Sequence, residues 1–132
     1  MNQDESHLKG LAIGHYVVGA LAALFACFPL IHMFLGLAVL FGGESMLDDQ
    51  GRPAPEWFGW LFFLMGGAFL LVGQAIAISI ILSGRFLKQR KHYWFSFVLA
   101  CIACAFMPFG TVLGVFTIIV LSRDSVKSLY GI

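Results

Sequence analysis

The chain has 132 residues, 60% of them apolar and 11% charged, with a formal net charge of +1 and a mean hydropathy of +0.90. A water-soluble domain carries about 25% charged residues, so this composition excludes a solvent-covered globule and makes lipid the solvent for most of the surface. The near-zero charge gives no electrostatic footprint for nucleic acid, and the length suits one membrane domain over residues 1–132.

The first ten residues are polar. A cleavable secretory signal needs a positive start, a short apolar core and a small-residue cleavage site. Here Asp4 and Glu5 make the start acidic and the apolar run that follows is long, so the run is expected to remain as a span. It covers residues 11–41, about 46 Å as straight helix, against a hydrocarbon core of roughly 30 Å. Pro29 supplies the expected bend, because it cannot donate to the Phe25 carbonyl and its ring opens that turn. His15, Gly19, Ala22, Ala26, Pro29, Met33 and Gly36 alternate spacings of four and three, the signature of a left-handed packing seam. Small residues on such a seam let helix backbones approach closely in lipid.

Residues 42–56 form an acidic loop: Glu44, Asp48, Asp49 and Glu56 against Arg52, a net −3. Pro53 and Pro55 make its end stiff and non-helical. Calcium takes six to eight oxygen ligands in a defined register that these carboxylates lack, so they are expected to be solvated. Trp57 and Trp60 follow as an interfacial belt. The second span, 57–82, carries Gly59, Gly66 and Gly73 at intervals of seven, a helix-packing stripe that Ala77 and Gly84 continue. Gln74 flanks the stripe and is expected to hydrogen-bond a neighbouring helix.

The basic turn, 84–92, holds Arg85, Lys88, Arg90 and Lys91, which would attract anionic lipid headgroups at about 1 kcal/mol per charge. Two shorter apolar stretches follow, 91–107 and 109–122, divided by the turn signal Pro108-Phe109-Gly110. Ser96, Ala100, Ala103 and Met107 make a small face on the third span. Gly110 and Gly114 make a G-x-x-x-G on the fourth, with Thr117 on the same side. In the tail, Val126, Leu129 and Tyr130 are spaced to lie on a headgroup surface.

Orientation follows from positive charge, which marks the cytoplasmic side of short loops. Lys9, Arg85, Lys88, Arg90, Lys91, Arg123 and Lys127 fall on one side of a four-span chain and Arg52 alone on the other. The expected fold is therefore all-α: a polytopic four-transmembrane-helix bundle with both termini cytoplasmic and its third and fourth spans a short helical hairpin.

Ionisable residues inside spans are the candidates for chemistry. His32 is the deepest, and is expected to bond a neighbouring backbone because no second histidine shares its depth. His15 and His92, both expected near the cytoplasmic headgroups, are the one admissible haem pair. Cys101 and Cys104 have C-x-x-C spacing but lack the further ligands of a zinc site. With Cys27 they are read as small hydrophobes packed between helices. The sequence offers no Ser-His-Asp set, no phosphate-cradling loop and no paired intramembrane carboxylates, so no enzyme, metal site or cofactor is expected. Three functional readings remain. The first is a protein acting through helix packing, as a homo-oligomer or an accessory subunit of a larger membrane complex. The second is an oligomeric conduit lined by His32, Gln74, Ser96 and Thr117, and the third is a haem-binding electron carrier using His15 and His92.

The string from Pro108 to Lys127, with its P-x-G-T-x-L-G-V-x-T motif, resembles the C-terminal half of small four-helix bacterial inner-membrane proteins without assigned activity. Ser83-Gly84-Arg85, Gly14-His15-Tyr16-Val17-Val18-Gly19 and Phe28-Pro29 extend the resemblance over most of residues 11–130. It implies four spans and a bacterial inner membrane, and it brings no catalytic residues.

Overall fold

In the computed structural model, which describes residues 3–42, 47–105 and 109–132, helix α1 (Gln3–Phe25) starts well before residue 11. Its first turn holds Asp4 and Glu5, carboxylates that complement the positive end of the helix dipole. The polar N-terminal residues are thus the first turns of the helix, and Leu8 within them is 3% exposed. At Pro29 the run is broken outright. Cys27 N–H donates to the Leu24 carbonyl and Phe28 N–H to that of Phe25, both three residues back. This tightened turn gives the Phe25 carbonyl the partner that Pro29 cannot supply. Helix α2 (Leu30–Phe41) then resumes.

Residues 47–55 are held by a turn around Asp48. Its carboxylate accepts from the backbone N–H groups of Gln50 and Arg52 and from the Arg52 side chain at 3.0 Å. Those bonds, the Arg52 backbone bond first, hold the Asp48 carboxyl below its ordinary range. Glu44 lies outside the described residues, as do Met107 and Pro108.

Helix α3 (Glu56–Gln89) is one element of 34 residues. The stretch read as a basic turn is therefore mostly its last turns, and the reversal is confined to residues 90–92. Arg90 and His92 adopt left-handed backbone angles, φ 56° and 51°, which are uncommon for residues with a Cβ. Helices α4 (Tyr93–Ala103), α5 (Phe109–Leu121) and α6 (Asp124–Leu129) complete the chain.

Among the described residues every regular element is a helix. Two stretches, Gln3–Phe41 and Glu56–Gln89, are long and apolar enough to cross a membrane; Tyr93–Ala103 and Phe109–Leu121 are shorter apolar helices. The chain divides into two compact units, one of Met1–Ala22 with Ile76–Ile132 and one of Ala23–Ala75. In the first unit Leu8, Ala12, Leu87, Tyr93, Val120, Leu121 and Val126 form a continuous apolar core. Val126 is fully buried there, so α6 covers the end of this core instead of lying on a headgroup surface. Asp4 pairs with Arg123 at 3.4 Å and Glu5 with Arg90 at 3.3 Å, at the same end.

In the second unit the described buried positions are Gly36, Gly59 and Gly66 alone. A Cβ at Gly36 would fall 2.6 Å from the Gly59 carbonyl oxygen and 2.6 Å from the Phe63 nitrogen. α2 and α3 therefore touch backbone to backbone, which only glycine permits.

Candidate functional site: a buried polar layer

The apolar core of the first unit fixes the heights of its helices. Ala12 of α1, Leu87 of α3, Tyr93 of α4 and Val120 of α5 belong to that one cluster. One helical turn from each, on the same face, stands a polar residue: His15 three after Ala12, Ser83 four before Leu87, Ser96 three after Tyr93 and Thr117 three before Val120. All four are at most 1% exposed.

Close contacts agree with this level. A Cβ at Gly84, beside Ser83, would sit 2.9 Å from the His15 Cβ, and one at Gly14, beside His15, 2.8 Å from the Leu113 side chain. One at Gly114 would meet the Ala100 carbonyl and the Cys104 sulfur. Tyr93 donates to the Leu121 carbonyl at 2.8 Å, tying α4 to α5 at the core side. On the other side of the layer, Gly19, Ile80 and Ala100 are buried. Each of the four helices thus carries one buried polar residue a single turn from the apolar core.

The hydrogen bonds of these residues are incomplete. His15 Nδ1 lies 2.8 Å from the Leu11 carbonyl oxygen. That oxygen can only accept, so Nδ1 carries the proton of this bond. Thr117 donates to the Leu113 carbonyl at 2.7 Å. His15 Nε2, Ser83 Oγ and Ser96 Oγ are buried without a protein partner. Nothing in the sequence signalled that His15 is enclosed by protein, and Ser83 gave no signal as a core residue. Three-residue and four-residue offsets from Ala12 and Leu87 would have placed both, had the helix ends been known.

The other predicted positions are distributed as follows. His32, in the second unit, stacks on Phe62 with ring centroids 6.0 Å apart and meets Phe28 edge-on. Gln74 Nε2 donates to the Ala23 carbonyl at 3.1 Å, with Cys27 Sγ at 3.5 Å. His32 and Gln74 belong to one unit and Ser96 and Thr117 to the other. His92 is exposed, its ring against Phe86, so His15 and His92 occupy unlike environments. Cys27 and Cys101 are exposed and only Cys104 is half-buried, which corrects the reading of all three as packed between helices. Cys101 sits on an outward face of α4, Cys27 lies in the turn between α1 and α2, and Cys104, just past α4, has its sulfur against Gly114.

Among the packing residues, Gly19 faces Ile81 and Ala77, Gly59 faces Leu40 and Gly36, Gly66 faces Pro29 and Met33, and Gly73 faces Ala26. Ala22 is half-buried and Gly110 buried. The small-residue seams are thus consumed within the chain. Of the basic side chains, Arg85, Lys88, Arg90 and Lys91 are exposed. A shallow groove of about 280 Å³ lies between Glu5, Leu8, Lys9, Leu87, Lys88 and Arg90. Among the described residues no three His, Cys, Asp or Glu side chains gather as a metal site.

No protein family, curated protein or solved structure matches the chain.

Proposed function

We infer that the chain is a non-enzymatic, multi-pass integral membrane protein that works by packing against other membrane-embedded helices, as a homo-oligomer or an accessory subunit. One observation carries this reading: among the described residues of the second unit, glycines are the only buried ones. Helix α2 and the part of α3 within this unit thus bury no side chain larger than hydrogen. Leu24, Phe25, Phe34, Phe41, Trp57, Leu64, Phe69 and Leu71 are each more than half exposed. In lipid such helices associate further by side-chain packing, and a partner's helices would supply the core that this unit lacks.

A bacterial inner membrane and four spans with both termini cytoplasmic belong to the same reading. They are supported by the charges that meet at one end of the first unit, where Arg90 and Arg123 join the N-terminal carboxylates. Anionic headgroups at Arg85, Lys88, Arg90 and Lys91 fit that side. The test is the mass of the protein taken from its own membrane in mild detergent, with crosslinking beforehand. A discrete oligomer or a stoichiometric membrane-protein companion is expected; a monomer that stays monomeric after crosslinking in native membranes overturns the reading.

A further inference from the structure

The groove between α1 and α3 has a composition suited to one kind of ligand. It is lined by Glu5, Leu8 and Lys9 of α1, by Leu87 and Lys88 of α3, and by Arg90 just past it, around a space of about 280 Å³. All six residues belong to the first unit. Leu8 and Leu87 are buried, so they form an apolar floor. The rim carries three cations and one carboxylate, a net +2. Glu5 pairs with Arg90 at 3.3 Å, which offsets one of the three. Lys9 and Lys88 are exposed, and among the described residues neither makes an ion pair. The helix ends do not decide the sign, because the positive end of α1 and the negative end of α3 meet there and offset one another. Two free ammonium groups, one from each helix, therefore set the potential.

Apolar surface continues from this rim. One and two turns along α1 from Lys9, on the same face, stand Ile13, Tyr16 and Val17, all exposed. A cationic rim above an exposed apolar strip fits an amphiphile with an anionic head and hydrocarbon chains; a free anion would gain nothing from the strip. We propose that the groove is a binding site for one anionic phospholipid per chain, its phosphate held by Lys9 and Lys88 and an acyl chain lying on Ile13 and Val17. Lysine binds phosphate as a point charge on a flexible stem, so two stems rising beside a leucine floor can close on one headgroup. The proposal rests on the reading of the chain as an integral membrane protein, and it narrows the set of basic residues. Lys9 joins Lys88 as the binding pair, Arg90 is engaged by Glu5, and Arg85 and Lys91 are not part of the groove.

The test is native mass spectrometry of the full chain in mild detergent, with three probes: phosphatidylglycerol, phosphatidylcholine of the same acyl chains, and glycerol phosphate. One phosphatidylglycerol per chain is expected to stay bound, and neither of the other probes. In the Lys9→Gln, Lys88→Gln double variant its affinity should fall roughly 30-fold, the combined worth of two cations at a membrane surface. The Arg85→Gln, Lys91→Gln double variant removes the same charge outside the groove and should bind as the wild type does. Unchanged binding in the first variant, or equal losses in both, overturns the proposal. Phosphatidylcholine held as tightly as phosphatidylglycerol overturns it too, and so does glycerol phosphate held as tightly, which marks a site for free phosphate. If the first variant fails to fold, the three probes on the wild type still decide. A monomer that holds the lipid, or an oligomer that does not, separates this proposal from the packing reading.

Discussion

Glycine at a few positions decides whether helix backbones can meet. Gly36 has the Gly59 carbonyl and the Phe63 backbone within 2.6 Å of where its Cβ would be, and neither can yield as a flexible side chain would. Gly36→Ala should therefore cost about 1–3 kcal/mol through overpacking, seen as a lower melting temperature in detergent. Gly10 gives the contrast: it is helical and exposed, and a Cβ there meets nothing within 4 Å. Gly10→Ala should be neutral or raise stability by up to about 1 kcal/mol through helix propensity. If both variants melt alike, close approach is not what Gly36 provides. The heptad spacing of Gly59, Gly66 and Gly73 made this stripe legible in the sequence. The partner it faces was not, because small residues signal close packing without saying whether the other helix belongs to the same chain.

The helices themselves were legible and their ends were not. Hydropathy located the apolar runs, yet α1 begins at Gln3 and α3 runs on to Gln89, through residues too polar to register as membrane segments. Those polar turns are held by tertiary contacts, the burial of Leu8 and Leu87 among them, which no local pattern reveals. α6 was misread for a related reason: Val126 sits in a short polar segment but fills the core of the first unit. Val126→Asp should release α6, with faster hydrogen exchange over residues 124–130. Tyr130 reports the same docking. Burial, aided by repulsion from Tyr93 and opposed by Arg90, pushes its phenol up to about 12 from 10.0. The folded state thus favours the neutral phenol, so its contribution is complete below pH 10 and is lost as pH rises through about 12. In the Val126→Asp variant the Tyr130 midpoint, followed by phenolate absorbance, should return toward 10. An unchanged midpoint would mean that α6 does not enclose Tyr130.

At the scale of the molecule, composition alone pointed to a membrane, and two helical stretches, one of α1 with α2 and one of α3, have the length and apolarity to cross one. Helices α4 and α5, of 11 and 13 residues, rise about 17 and 20 Å, short of a hydrocarbon core of roughly 30 Å. Their depth is the part of the topology that hydropathy leaves open. Single cysteines in a cysteine-free background resolve it with a membrane-impermeant maleimide. Asp49→Cys should label from outside and Ser128→Cys only after permeabilisation, and Ala105→Cys labelled from outside marks α4 and α5 as complete spans. Labelling of Ser128→Cys on intact cells would reverse the proposed orientation.

The split of the chain into two units also sets an order of construction. Residues 23–75 are contiguous, so every partner in that unit exists once α3 has been made as far as residue 75. The other unit joins residues 1–22 to residues 76–132, and its fastenings, Tyr93 to Leu121 and Asp4 to Arg123, wait until residues 121 and 123 have been made. The N-terminal turns of α1, with Leu8 and His15, must pass that interval without the neighbours that later enclose them.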